Sequence, residues 1–99
     1  MHCNGYELFR RAIVERKDES WAAVAARYRP LMITWAARCP VVHAEGECCE
    51  DLADQAFARG WRALTPEGFA RFPSLAALLA YLRACVTATT IDAARARSA

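Results

Sequence analysis

Apolar residues recur along most of this chain at intervals of three and four, the period of an α-helix with one buried side. Leu8, Phe9, Ala12 and Ile13 make such a stripe while Glu7, Arg10, Arg11, Glu15 and Arg16 face away, which predicts a first helix over residues 5–16. Trp21, Val24, Ala25, Tyr28, Leu31, Met32 and Trp35 continue as a second stripe to about Arg38. Asp18 or Ser20 can cap the start of that helix by accepting a free amide hydrogen. Pro30 falls inside it; because proline removes a donor and crowds the preceding turn, at about 3 kcal/mol in a regular helix, the expectation is a kink or two abutting helices.

Cys39-Pro40 ends this run, and residues 41–49, with Gly46 and no sustained period, read as a loop. The clearest amphipathic segment follows at 50–64. Leu52, Ala56, Phe57, Gly60, Trp61 and Leu64 share one side. Glu50, Asp51, Asp54 and Gln55 lead the other side and Arg59 and Arg62 close it, an order that complements the helix dipole. Thr65-Pro66-Glu67-Gly68 reads as a turn, Phe69 and Phe72 as core anchors, and Ser74 as the cap of a last helix. Its stripe, Leu78, Leu79, Leu82, Val86 and Thr89, runs to about Ala94, with Tyr81, Arg83 and Thr87 directed elsewhere. The expected fold is all-α, a small bundle of about four helices in a single domain over 1–99.

Composition agrees with that pattern. The 99 residues are 56% apolar and 24% charged, with four glycines and four prolines, which suits packed helices and not a disordered chain. A net charge of +2 is too small to mark a nucleic-acid binder by itself, so any case for DNA depends on where the charge sits. No uninterrupted apolar run approaches the roughly 20 residues of a bilayer crossing, and the first residues lack the pattern of a secretory signal. Five cysteines at 3, 39, 48, 49 and 85, an odd number without framework spacing, read as reduced thiols. The expected setting is cytoplasmic, away from any membrane.

The 50–64 segment also carries a resemblance. Glu50-Asp51-Leu52, an acid and amide at Asp54-Gln55, Phe57, and an aromatic before Arg62-Ala63-Leu64 resemble the core-polymerase-binding helix of the second conserved region of sigma-70-type factors, above all the extracytoplasmic-function-like group. In the family wording the amide precedes the acid, and here the two are exchanged. Residues 21–38, with Tyr28-Arg29-Pro30 and the terminal Ala-Ala-Arg, resemble the family's first conserved helix. Tyr81-Leu82-Arg83 through Asp92 and Arg95 resembles its promoter-contacting helix, although Ala88 stands where asparagine is customary, Thr87 where arginine or lysine is frequent, and Tyr81 where tryptophan is usual. The family's promoter-binding domain is normally followed by a helix-turn-helix domain that these 99 residues do not contain, so the expectation is a fragment or a free-standing domain.

The resemblance implies a transcription-initiation factor domain and no enzyme. Glu50, Asp51, Asp54, Gln55 and Arg59 would meet a basic coiled coil on the β′ subunit of the RNA polymerase core, with complementary charge setting orientation and association rate. Tyr81, Arg83, Thr87, Ala88, Arg95 and Arg97, on the helix expected over 74–97, would face the −10 promoter region, through arginine–phosphate contacts and base stacking worth about 1–3 kcal/mol per base. An anti-sigma factor is a further candidate partner. The plainer reading of both faces is a solvated surface with charges ordered by helix dipoles. The other function class is a sigma-derived protein-interaction module that no longer reads DNA, which Ala88 and Thr87 favour. No cofactor is implied. Cys39, His43, Cys48 and Cys49, with His2 or Cys3, have zinc-ligand chemistry, but their spacing matches no standard pair; a catalytic Cys–His pair in the same loop lacks a recognisable orienting group.

Overall fold

The structure, a computed structural model, describes residues 4–39 and 48–98, with side chains described as far as residue 96. It is an all-α bundle: α1 (Gly5–Val14), α2 (Asp18–Arg38), α3 (Cys49–Ala63), the single turn α4 (Pro66–Phe69) and α5 (Leu75–Ser98). Helix α2 packs against α1, α3 and α5, while α3 and α5 pack on each other. The four long helices are those expected from the hydrophobic period.

Asn4 opens α1 by accepting the Glu7 amide hydrogen at 2.7 Å. The helix ends at Val14, short of the expected 16, because Arg16 turns left-handed at φ 53°. The turn is held by what Arg16 reaches: its guanidinium lies 3.9 Å from the centroid of the Trp61 ring and donates to the Leu64 carbonyl at 3.3 Å. Neither Asp18 nor Ser20 caps α2. Lys17 holds that position without a side-chain cap, Asp18 and Glu19 sit in the first turn where the dipole favours acid, and Ser20 is buried.

Helix α2 is continuous through Pro30, in place of the expected break. The carbonyl that proline leaves without a partner belongs to Ala26, and both residues are exposed, so water can satisfy it. The buried row of α2 is Ser20, Val24, Met32 and Ala36, all on one line of four-residue steps. Leu31 lies one position off that line, about 100° round the helix. It is therefore exposed rather than in the core, and Trp35 is only half-buried.

Helix α3 starts at Cys49, one residue inside the expected loop; residues 40–47 lie outside the described residues. The expected turn at 65–68 is instead the start of α4. Pro66 occupies the first turn, where its missing N–H costs nothing, and the Thr65 hydroxyl oxygen accepts the Gly68 amide at 3.0 Å. Phe69 and Phe72 anchor this connection. Phe69 is buried with its ring 5.3 Å from Tyr6, and the Tyr6 hydroxyl donates to the Phe72 carbonyl at 2.9 Å.

Ser74 caps α5 as expected, its hydroxyl oxygen accepting the Ala77 amide at 3.2 Å. The helix runs to Ser98, past the expected 94, since no glycine or proline interrupts it. Over Leu75–Ala96 it is long and apolar enough, by length and composition alone, to cross a membrane, a property that core helices share. Here Leu78, Leu82, Cys85, Val86, Thr89 and Thr90 are buried in the bundle.

The seam between α3 and α5 is close at Gly60, where an added Cβ would sit 3.0 Å from Leu82 Cδ2. Trp61 flanks this seam and does not fill it: half-buried, it lies 4.5 Å from Trp21, which meets Phe57 edge-on. Leu82 is fully enclosed. Leu82→Ala is therefore expected to lower stability by about 2–5 kcal/mol in denaturant unfolding, and Trp61→Ala by less than the roughly 3–5 kcal/mol of a fully buried tryptophan.

Candidate functional site

Burial of Leu52, Ala53, Ala56, Phe57 and Gly60 on the inner side of α3 leaves Glu50, Asp51, Asp54 and Gln55 exposed on the outer side. The four predicted residues thus form one polar ridge. Two of them are engaged within the chain. Asp54 accepts from Arg29 of α2 through both oxygens, at 2.9 and 3.2 Å, and Glu50 accepts from the Cys48 thiol at 3.0 Å. The Arg29 hydrogen bonds hold the Asp54 carboxyl below its usual range, and the thiol does the same for Glu50. Asp51 has no ion-pair partner among the described residues.

Arg59, the fifth residue expected on this ridge, belongs elsewhere. It is half-buried and reaches across to α5, where it meets Asp92 at 2.6 Å. That ion pair spans a groove of about 420 Å³ between α3 and α5, lined also by Gln55, Arg62 and Thr89. Thr89 is buried, and its hydroxyl oxygen lacks a hydrogen-bond partner among the described residues. Thr90, also buried, donates to the Thr87 carbonyl at 2.8 Å. Neither threonine is available to a phosphate, because α5 turns both toward the bundle.

The remaining predicted DNA contacts divide. Arg83, Thr87 and Arg95 are exposed and Ala88 is half-buried. Thr87 already gives its hydroxyl proton to the Arg83 carbonyl at 3.2 Å, which removes it as a phosphate donor. Tyr81 is half-buried with its ring 5.4 Å from Phe72, so it serves packing before stacking. Burial, and then the Cys85 thiol beside it, push its phenol up. The side chain of Arg97 lies outside the described residues.

Of the residues with zinc-ligand chemistry, His2, Cys3 and His43 lie outside the described residues, and among those described no group of three or more His, Cys, Asp or Glu is placed to hold a metal. Cys39, Cys48, Cys49 and Cys85 are free thiols. Burial pushes the Cys85 thiol up, the opposite of what a nucleophile needs.

Two residues that sequence reasoning assigned no binding role, Trp35 and Arg38, share a cleft with Arg83 and Thr87. Trp35 falls at core spacing and was expected inside; the only cue to the contrary is the basic residue three positions on. Set against protein-family models, curated proteins and solved structures, the chain matches none.

The Arg29–Asp54 pair carries a test of its own. Both groups are about half exposed, so the pair is expected to contribute little to stability. A carboxyl with a lowered folded pKa adds stability above its unfolded value, near 3.8, and loses it as pH falls through the folded value. Asp54→Asn should therefore lower the melting temperature slightly at pH 7, and thermal melts across pH should show the difference from wild type vanish below the lowered Asp54 pKa.

Proposed function

We propose that the chain is a sigma-type transcription-initiation domain that docks on the RNA polymerase core through α3 and approaches the −10 promoter region through α5. One observation carries this reading. The ridge of Glu50, Asp51, Asp54 and Gln55, whose order resembles the family's polymerase-binding helix, faces solvent while its apolar rear is sealed by α2 and α5. An outward acidic ridge suits a basic partner helix: Asp51 can meet opposite charge as it stands, and Asp54 can do so by exchanging Arg29 for the partner's cation. A basic coiled coil of the polymerase β′ subunit is that partner, in a cytoplasmic setting. An anti-sigma factor would act by covering the same ridge. Neither role involves bond chemistry.

The second reading, a helical interaction module that binds protein and does not read DNA, is favoured by α5. Thr89 and Thr90 point inward, Ala88 offers no polar group, and Asp92 is tied to Arg59. Arg83 and Arg95 are then the exposed cations left on that helix among the described side chains. Both readings use α3, so DNA binding separates them.

Asp51→Arg reverses a charge on the ridge without breaking any described ion pair. It is expected to reduce capture of core RNA polymerase at least tenfold, with helicity by circular dichroism unchanged. The double change Asp51→Arg with Asp54→Arg should abolish capture. Undiminished capture by both variants would remove α3 as the docking surface.

A further inference from the structure

The C-terminal end of α2 lies beside the middle of α5, and between them Trp35, Arg38, Cys39, Arg83 and Thr87 line a cleft of about 210 Å³. Cys39, one of the lining residues, has its sulfur 3.1 Å from the buried Thr90 hydroxyl oxygen. The Arg83 guanidinium stands over the Trp35 ring, 5.8 Å from its centroid. Arg38 and Arg83 are exposed, and neither has an ion-pair partner among the described residues. Among the described residues no carboxylate lines the cleft. The groove between α3 and α5 differs on that point, because Asp92 neutralises Arg59 there.

An indole face flanked by two exposed guanidiniums, one from each helix, matches a ligand with a flat π-surface and an anion on either side of it. We propose that this cleft holds one unstacked base of a single-stranded nucleic acid, with Trp35 as the stacking platform and Arg38 and Arg83 on the phosphates flanking that base. The proposal rests on the reading that α5 approaches melted DNA, and adds to it two residues of α2. Its dimensions suit one base. At 210 Å³ the cleft is smaller than the roughly 300–1,000 Å³ that encloses a drug-sized ligand, so the sugar and phosphates stay outside, where the arginines are. A base inserted between indole and guanidinium requires Arg83 to move outward from its present 5.8 Å, which its exposed side chain permits. Thr87 contributes shape alone, its proton being committed to the Arg83 carbonyl.

The test is fluorescence anisotropy of the purified chain with a fluorescein-labelled twelve-nucleotide oligothymidylate, titrated at several salt concentrations. Trp35→Ala is expected to weaken binding about 5- to 150-fold, the range that corresponds to about 1–3 kcal/mol of base–aromatic stacking. Trp35→Phe, which keeps a ring and the packing beneath it, should bind within about threefold of wild type. Arg38→Gln with Arg83→Gln should flatten the slope of log K against log salt by about 1.4, two phosphates at about 0.7 each on a single strand. Thymidine 5′-monophosphate at equal concentration should not displace the strand. The proposal is overturned by any of four results: no strand binding at low salt, Trp35→Ala binding as tightly as wild type with an unchanged melting curve, an unaltered salt slope in the double arginine variant, or equal competition by the mononucleotide. Polymerase capture, measured in parallel, separates the two claims. Trp35→Ala that loses the strand and retains capture supports the cleft; a wild type that captures polymerase without holding the strand overturns the cleft and leaves the α3 docking surface standing.

Discussion

A helix turns as one body, so the burial of Leu52, Ala53, Ala56, Phe57 and Gly60 along α3 decides where every other side chain of that helix goes. The inner side must be small at Gly60 for Leu82 of α5 to approach, and apolar at Leu52 and Phe57 to meet the rest of the core. Once those positions are sealed, Glu50, Asp51, Asp54 and Gln55 have nowhere to lie but outward. The candidate docking ridge is thus a consequence of core packing. Loosening the seam would blur the ridge without touching a single charged residue.

Two ion pairs trim what that surface offers. Arg29–Asp54 ties the ridge to α2, and Arg59–Asp92 ties the far end of α3 to α5. Both are largely solvated and contribute little to stability, so their larger effect is on availability. A basic partner has to compete with Arg29 for Asp54, whereas Asp51 and Gln55 are open to it at once. On α5 the same economy leaves few polar groups free: Asp92 and Thr87 are engaged, Thr89 and Thr90 face the bundle, and Arg83 leans over Trp35. Among the described residues, positive charge without an ion-pair partner therefore gathers where α2 and α5 meet, beside an aromatic ring.

The amphipathic period by itself determined the fold class, the four long helices, the outward acidic ridge, and the anchoring of Phe69 and Phe72, because a 3.6-residue repeat states which side of a helix is dry before anything is known of its neighbours. The Ser74 cap was equally legible, as a local hydrogen bond between residues three apart. Tertiary structure decided the rest. A periodic stripe cannot say how wide the neighbour is, so Leu31, Trp35 and Trp61, at apolar spacing, ended exposed or half-buried at the margin of the core. Nor does a list of charges say which will meet across helices: Arg29 with Asp54 are 25 residues apart, and Arg59 with Asp92 are 33. The end of α1 at Arg16 and the joining of Trp35, Arg38 and Arg83 in one cleft follow from contacts between segments distant in the chain, which no local pattern encodes.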